Sequence, residues 1–112
     1  MASLNDCINS GESALNALYA LQTAAMKAGN LAAQKALEDD IDEMTYKLTQ
    51  LRQQEIADDD AQINSLNTQL AQVTASAQNA LQDLNKLTGV LNDVVTATQI
   101  LSGILSAVAG AG

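Results

Sequence analysis

The chain contains no histidine, proline, phenylalanine or tryptophan. Without histidine there is no imidazole to ligate zinc or to shuttle protons near neutral pH, so zinc-type centres and His-based acid–base catalysis are excluded. Without proline, the strongest helix breaker is missing. Without Phe and Trp, apolar packing falls to Ala, Leu, Ile and Val, with Tyr19 and Tyr46 the only rings. One aromatic side chain buries roughly 150–250 Å². A core that lacks them must rely on close helix packing, and a second copy would help it bury enough surface.

Cysteine is represented once, by Cys7, so no internal disulfide is available. Its context, CINSGES, offers no cation to activate the thiol and no histidine to pair with it. Cys7 therefore reads as a small buried hydrophobe near the start of the first helix. Basic residues are also scarce: five Lys and Arg stand against thirteen Asp and Glu, a net charge of −8. There is no basic patch to hold a phosphate backbone, so nucleic acid is excluded as a partner, and anionic lipid head groups find no counterpart. No Walker-type or dinucleotide-binding glycine pattern occurs. These absences point away from an enzyme and from any cofactor or metal.

The acids cluster in EDDIDE (38–43) and DDD (58–60). A calcium loop needs alternating acids, a turn glycine and a distant glutamate. Asp40 and Asp42 alternate, but Ile41 between them belongs to an apolar stripe and no glycine follows. The first cluster reads as a solvated helix face. The second suits a turn, where Asp caps a helix and faces the positive end of its dipole.

What the chain does have is helical periodicity. Leu4, Ile8, Leu15, Leu18, Leu21 and Ala25 fall on one face of a helix over about 3–28, with Ser3 as cap and Gly29 just past its end. Gly11 either weakens this helix or marks a new start after Ser10. Leu37, Ile41, Met44, Leu48 and Leu51 form a heptad seam in a second helix over about 31–57, with Glu43 and Lys47 one turn apart on its surface.

The third stretch is the most regular. Ile63, Leu66, Leu70, Val73, Ala77, Ala80, Leu84, Leu87, Leu91, Val94, Leu101, Leu105 and Val108 follow one seven-residue frame, interrupted only by Thr98. That frame runs through Gly89 without a phase shift. It predicts a helix over about 60–109, spanning roughly 70 Å if continuous. The alternative is a break at 88–90. Gln, Asn and Thr clothe this stretch, either as neutral filler or as hydrogen-bonding groups between helices.

After Asp93 the chain carries no charged residue. Beside the frame stand Val90, Val95, Ile100 and Ile104, an apolar face expected to be exposed and in need of a partner if the third helix is straight, or to form the fourth wall of a closed bundle if it turns at Gly89. Residues 94–112 approach the length of a membrane span. Thr96, Thr98, Gln99, Ser102 and Ser106 and the lack of a basic flank favour a packing surface instead.

The expected fold is all-α: a single domain over 1–112, an antiparallel helical bundle or coiled coil of three helices with a long third, or of four if the third breaks at Gly89. The expected role is a non-enzymatic structural or interaction protein. It would self-assemble, or dock another helical protein, through the heptad seam and the uncharged C-terminal helix. An amphipathic binder of apolar surfaces (lipid droplet, granule or membrane) is the first alternative. A secreted helical component of a bacterial export or toxin system is the second. MASLNDCINSG lacks a basic and an apolar segment in series, so a cytoplasmic location or export by a signal-independent route is expected.

Overall fold

Ser3 opens the first helix by a reciprocal cap. Its hydroxyl accepts from the Asp6 backbone N–H at 3.1 Å, and the Asp6 carboxylate accepts from the Ser3 N–H at 2.9 Å. These bonds hold the Asp6 carboxyl below its ordinary value. The structure, a computed structural model, describes residues 3–54 and 61–111, with 108–111 as backbone only. It contains α1 (Leu4–Lys27), α2 (Leu31–Arg52), α3 (Ala61–Gln82), a single 3-10 turn (Leu84–Lys86) and α4 (Leu87–Ala111).

The turn between α1 and α2 follows from two residues. Gly29 takes φ +76°, and the chain reverses with Gly29 N–H bonded to Met26 O and Asn30 N–H to Ala25 O, each at 3.0 Å. This is the paired closure that satisfies the last carbonyls of a helix. Asn30 then caps α2, its side-chain oxygen accepting from Ala33 N–H at 3.0 Å. A side chain at Gly29 would force an L-residue into left-handed geometry, which costs roughly 1–2 kcal/mol. Gly29→Ala is therefore expected to lower stability by about 1 kcal/mol. Gly89 lies inside α4 with open space around it, so Gly89→Ala should gain up to about 1 kcal/mol. Urea unfolding of the two variants, with unchanged m-values, checks the opposite signs.

α1 runs unbroken through Gly11. There it presses against α2: a Cβ on Gly11 would lie 2.7 Å from Leu48 Cδ1. The glycine weakens the helix locally and in return admits the Leu48 side chain.

The four helices form a ring. α1 packs on α2 and α3, and α4 packs on α2 and α3, leaving α1–α4 and α2–α3 across the diagonals. Within each hairpin the helices run antiparallel. Between hairpins they run parallel: the Cys7 thiol reaches the Ile63 carbonyl at 3.1 Å, and one turn on Ser10 donates to Asn67 at 2.6 Å. The bundle measures 46 × 23 × 17 Å, with a radius of gyration of 14.1 Å. The long axis is twice the next, as helices of 22 to 25 residues lying side by side require.

The expected long third helix is not continuous. It is replaced by α3 and α4, and the break lies at Asp83, six residues before Gly89. Asp83 leaves helical geometry at φ −151°, ψ 99°, and its side chain accepts from Asn85 N–H to cap the 3-10 turn. Aspartate competes for backbone donors in this way better than almost any residue. The expected turn at 58–60 and the end of the second helix beyond 54 lie outside the described residues.

Candidate interaction surface

The heptad seam does not form an exposed interface. Ile63, Leu66, Leu70, Val73, Ala77 and Ala80 are fully buried within the chain's own core, against Leu18, Leu21, Leu37, Met44 and Leu51. Beyond Asp83 the buried stripe changes phase by one residue. Leu87, Val94 and Leu101 stay buried, but their partners are Val90, Ala97 and Ile104. Leu84, Leu91 and Leu105, which the continuous frame put in the seam, are only partly buried. Val108 lies outside the residues whose side chains are described. The reversal at Asp83 resets the rotation of the helix, so the sevenfold spacing continues with a shifted companion position.

That shift corrects the expected apolar face. Val90 and Ile104 belong to the core, at 0% and 2% exposure, and Ile100 packs against its edge. Of the four, Val95 alone is substantially exposed, at 48%. α4 is thus the fourth wall of the bundle, and its outer crest carries Asn92, Val95, Gln99 and Ser106.

Two shallow clefts flank that crest and share Gln99. One, of about 460 Å³, lies between α3 and α4 and is lined by Ala61, Gln62, Ser65, Thr96, Gln99, Ile100 and Gly103. None of the described residues in its wall is charged. The other, of about 290 Å³, lies between α2 and α4 and brings Asp40, Glu43 and Lys47 beside Val95, Thr98, Gln99 and Ser102. Lys47 joins the two helices, pairing with Glu43 at 3.2 Å and donating to the Ser102 hydroxyl. Partial burial raises the Asp40 carboxyl above its ordinary value, and Glu43 and Asp39 add repulsion. A raised acid value means the ionised form opposes folding at neutral pH, and the penalty fades as pH falls through the folded value. Asp40→Asn should raise the thermal midpoint at pH 7, and the gain should vanish near about pH 4, where the unfolded chain also protonates.

Charge divides the bundle by hairpin. α3 has no charged residue, and α4 has only Asp93. Asp93 is half-buried: its carboxylate accepts from the Ser76 hydroxyl, and its backbone carbonyl accepts from Gln69 at 3.0 Å. Asp83 and Lys86 sit at the turn joining the two helices. The remaining acids and bases of the described residues lie on α1 and α2, including Lys35–Asp39 at 3.3 Å and Arg52–Glu12 at 2.8 Å. The outer face of the α3–α4 hairpin is therefore a neutral surface of amides, hydroxyls and small apolar side chains on an acidic protein.

Comparison with protein-family models, curated proteins and solved structures finds no match.

The chemistry available elsewhere is limited. Cys7 is buried against the Ile63 carbonyl, and burial pushes its thiol up to about 11. A thiol so placed stays protonated at neutral pH and is a poor nucleophile. Among the described residues no group of three or more Cys, Asp and Glu side chains converges to hold a metal ion. Glu38, Asp39, Asp42 and Glu43 stand exposed along α2. The neutral face was partly readable from the sequence, through the uncharged run after Asp93. Its α3 half carried the same signal, in the absence of any charged residue from 61 to 82.

Proposed function

We propose that this is a non-enzymatic structural or interaction protein whose working surface is the neutral outer side of α3 and α4. The carrying observation is the distribution of charge: a chain of net charge −8 keeps one whole hairpin almost free of it. Solubility alone favours charge spread over the entire surface. A neutral face of this length costs solubility and gains only where something covers it. Ile63 to Ala80 of the seam, with Leu87, Val94 and Leu101, pack in the chain's own core, which favours the outer side of α3 and α4 over the seam as the docking element.

A photo-crosslinking residue at Gln99, compared with one at Asn16 on α1, tests this reading in cells that make the protein. Both positions are exposed. Discrete adducts from Gln99 and none from Asn16 are expected. Equal labelling from both positions would remove the reading.

A second reading has its own observation. Residues Leu84–Ala107 form a stretch long and apolar enough to cross a membrane, by length and composition. Its apolar side is turned into the bundle, so membrane contact would require the bundle to open. Flotation with neutral phosphatidylcholine vesicles tests it: protein left at the bottom of the gradient removes this alternative.

A further inference from the structure

We infer that the partner of the neutral face is a second copy of the same chain, docked face to face about a two-fold axis. The inference rests on the docking reading above and names its occupant. Three features carry it.

The first is self-complementarity. A charged patch needs a partner of opposite sign, but an amide or hydroxyl both donates and accepts. A face built from Thr68, Gln72, Thr96 and Gln99 is therefore chemically complementary to its own copy, which is what a two-fold interface requires. A charged or strongly basic partner would find nothing to pair with on it.

The second is electrostatic. Two copies of net charge −8 repel, and among the described residues seven of the nine acids lie on α1 and α2. Docking through α3–α4 places the α1–α2 hairpins on opposite outer sides, with the α3–α4 layer of each copy in between. That separation exceeds a Debye length of about 8–10 Å, so the repulsion is largely screened. Pairing through α2, which holds five of the acids, brings acids together.

The third is area. α3 has 22 residues. At 1.5 Å per residue, two neighbouring helices of that length present a face of roughly 33 by 20 Å, close to the ~800 Å² per partner of a standard interface. The cleft lined by Ser65, Thr96 and Gly103 gives that face a groove into which the α4 crest of the other copy can settle. The small residues there allow close approach.

Sedimentation equilibrium of the intact protein, at two salt concentrations, tests the inference. The wild type should be a concentration-dependent dimer, and its association should tighten at higher salt, because only like-charge repulsion is screened. The double variant Thr68→Glu with Gln99→Glu should raise the dissociation constant by at least about tenfold, since like charges brought together across an interface cost more than 1.4 kcal/mol. Asn16→Glu with Thr45→Glu, on the acidic hairpin, should leave it unchanged. Circular dichroism establishes that both variants fold. A wild type that stays monomeric to about 1 mM overturns self-docking, while discrete Gln99 adducts to another protein would leave the docking reading standing. A dimer indifferent to the two charges introduced on the neutral face, or one weakened by salt, overturns both the partner and the face.

Discussion

Val90→Asp should unfold the bundle, and Val95→Asp should barely affect it. The two valines lie five residues apart on the same helix, on either side of Asp93, and periodicity alone gives them one role. The structure separates them. Val90 is wholly enclosed among apolar side chains, and Val95 stands 48% exposed on the crest of α4. A carboxylate at Val90 loses the packing of the valine and has no partner for its charge. Lost packing and uncompensated burial together cost upward of about 4 kcal/mol, against a total stability of about 5–15 kcal/mol for a domain of this size. The same change at Val95 should stay within about 0.5 kcal/mol. Denaturant titrations followed by circular dichroism check both values. Equal effects at the two sites would mean that α4 is not rotated as described.

Ending the chain at Val90 should abolish cooperative folding. The deletion removes Val94, Ala97, Leu101 and Ile104, all buried. Burial of one Val, Leu or Ile side chain is worth about 1.5–3 kcal/mol, so these losses approach the whole net stability. It also uncovers the faces of α2 and α3 that α4 closes. The expected result is a broad, low-amplitude thermal transition and a collapsed or aggregated chain. A sharp transition at the original midpoint would show that the first three helices suffice and that α4 is an appendage. Truncation is consequently a test of folding here, and the surface variants are the test of assembly.

Much of this architecture is legible in the sequence. Ser3, Gly29 and Asn30 announce the ends of the first two helices through ordinary cap and turn chemistry, and the i,i+4 pair of Glu43 and Lys47 forms as its spacing implies. The long third helix misleads because Leu87, Val94 and Leu101 satisfy two frames at once. One frame pairs them with Leu84, Leu91 and Leu105, the other with Val90, Ala97 and Ile104. Both companions are apolar, so hydropathy does not choose. The choice depends on the reversal at Asp83, which a single side chain makes by capping a 3-10 turn. Gly89 reads as the better breaker, yet a glycine costs a helix only about 1 kcal/mol, and Asp83 is the residue whose side chain finds a backbone donor outside helical geometry. The parallel placement of the two hairpins was equally hidden. It depends on contacts such as Ser10 with Asn67, between residues far apart in the chain.

The candidate surface divides in the same way. Its neutrality is a property of composition and could be read directly. Which residues form it is a property of rotation, and Val90 and Ile104 lie on the wrong side for it. Gly11 gave an ambiguous signal for a related reason: its meaning lies in the Leu48 side chain that packs into its vacant Cβ position.

Small-angle X-ray scattering of the intact protein tests most directly whether α4 folds back on its own chain. At a concentration where the protein is a single copy, a closed bundle has a longest dimension near the 46 Å of its backbone. An unbroken helix from 61 to 109 would extend it to roughly 70 Å or more, and that result would contradict the account.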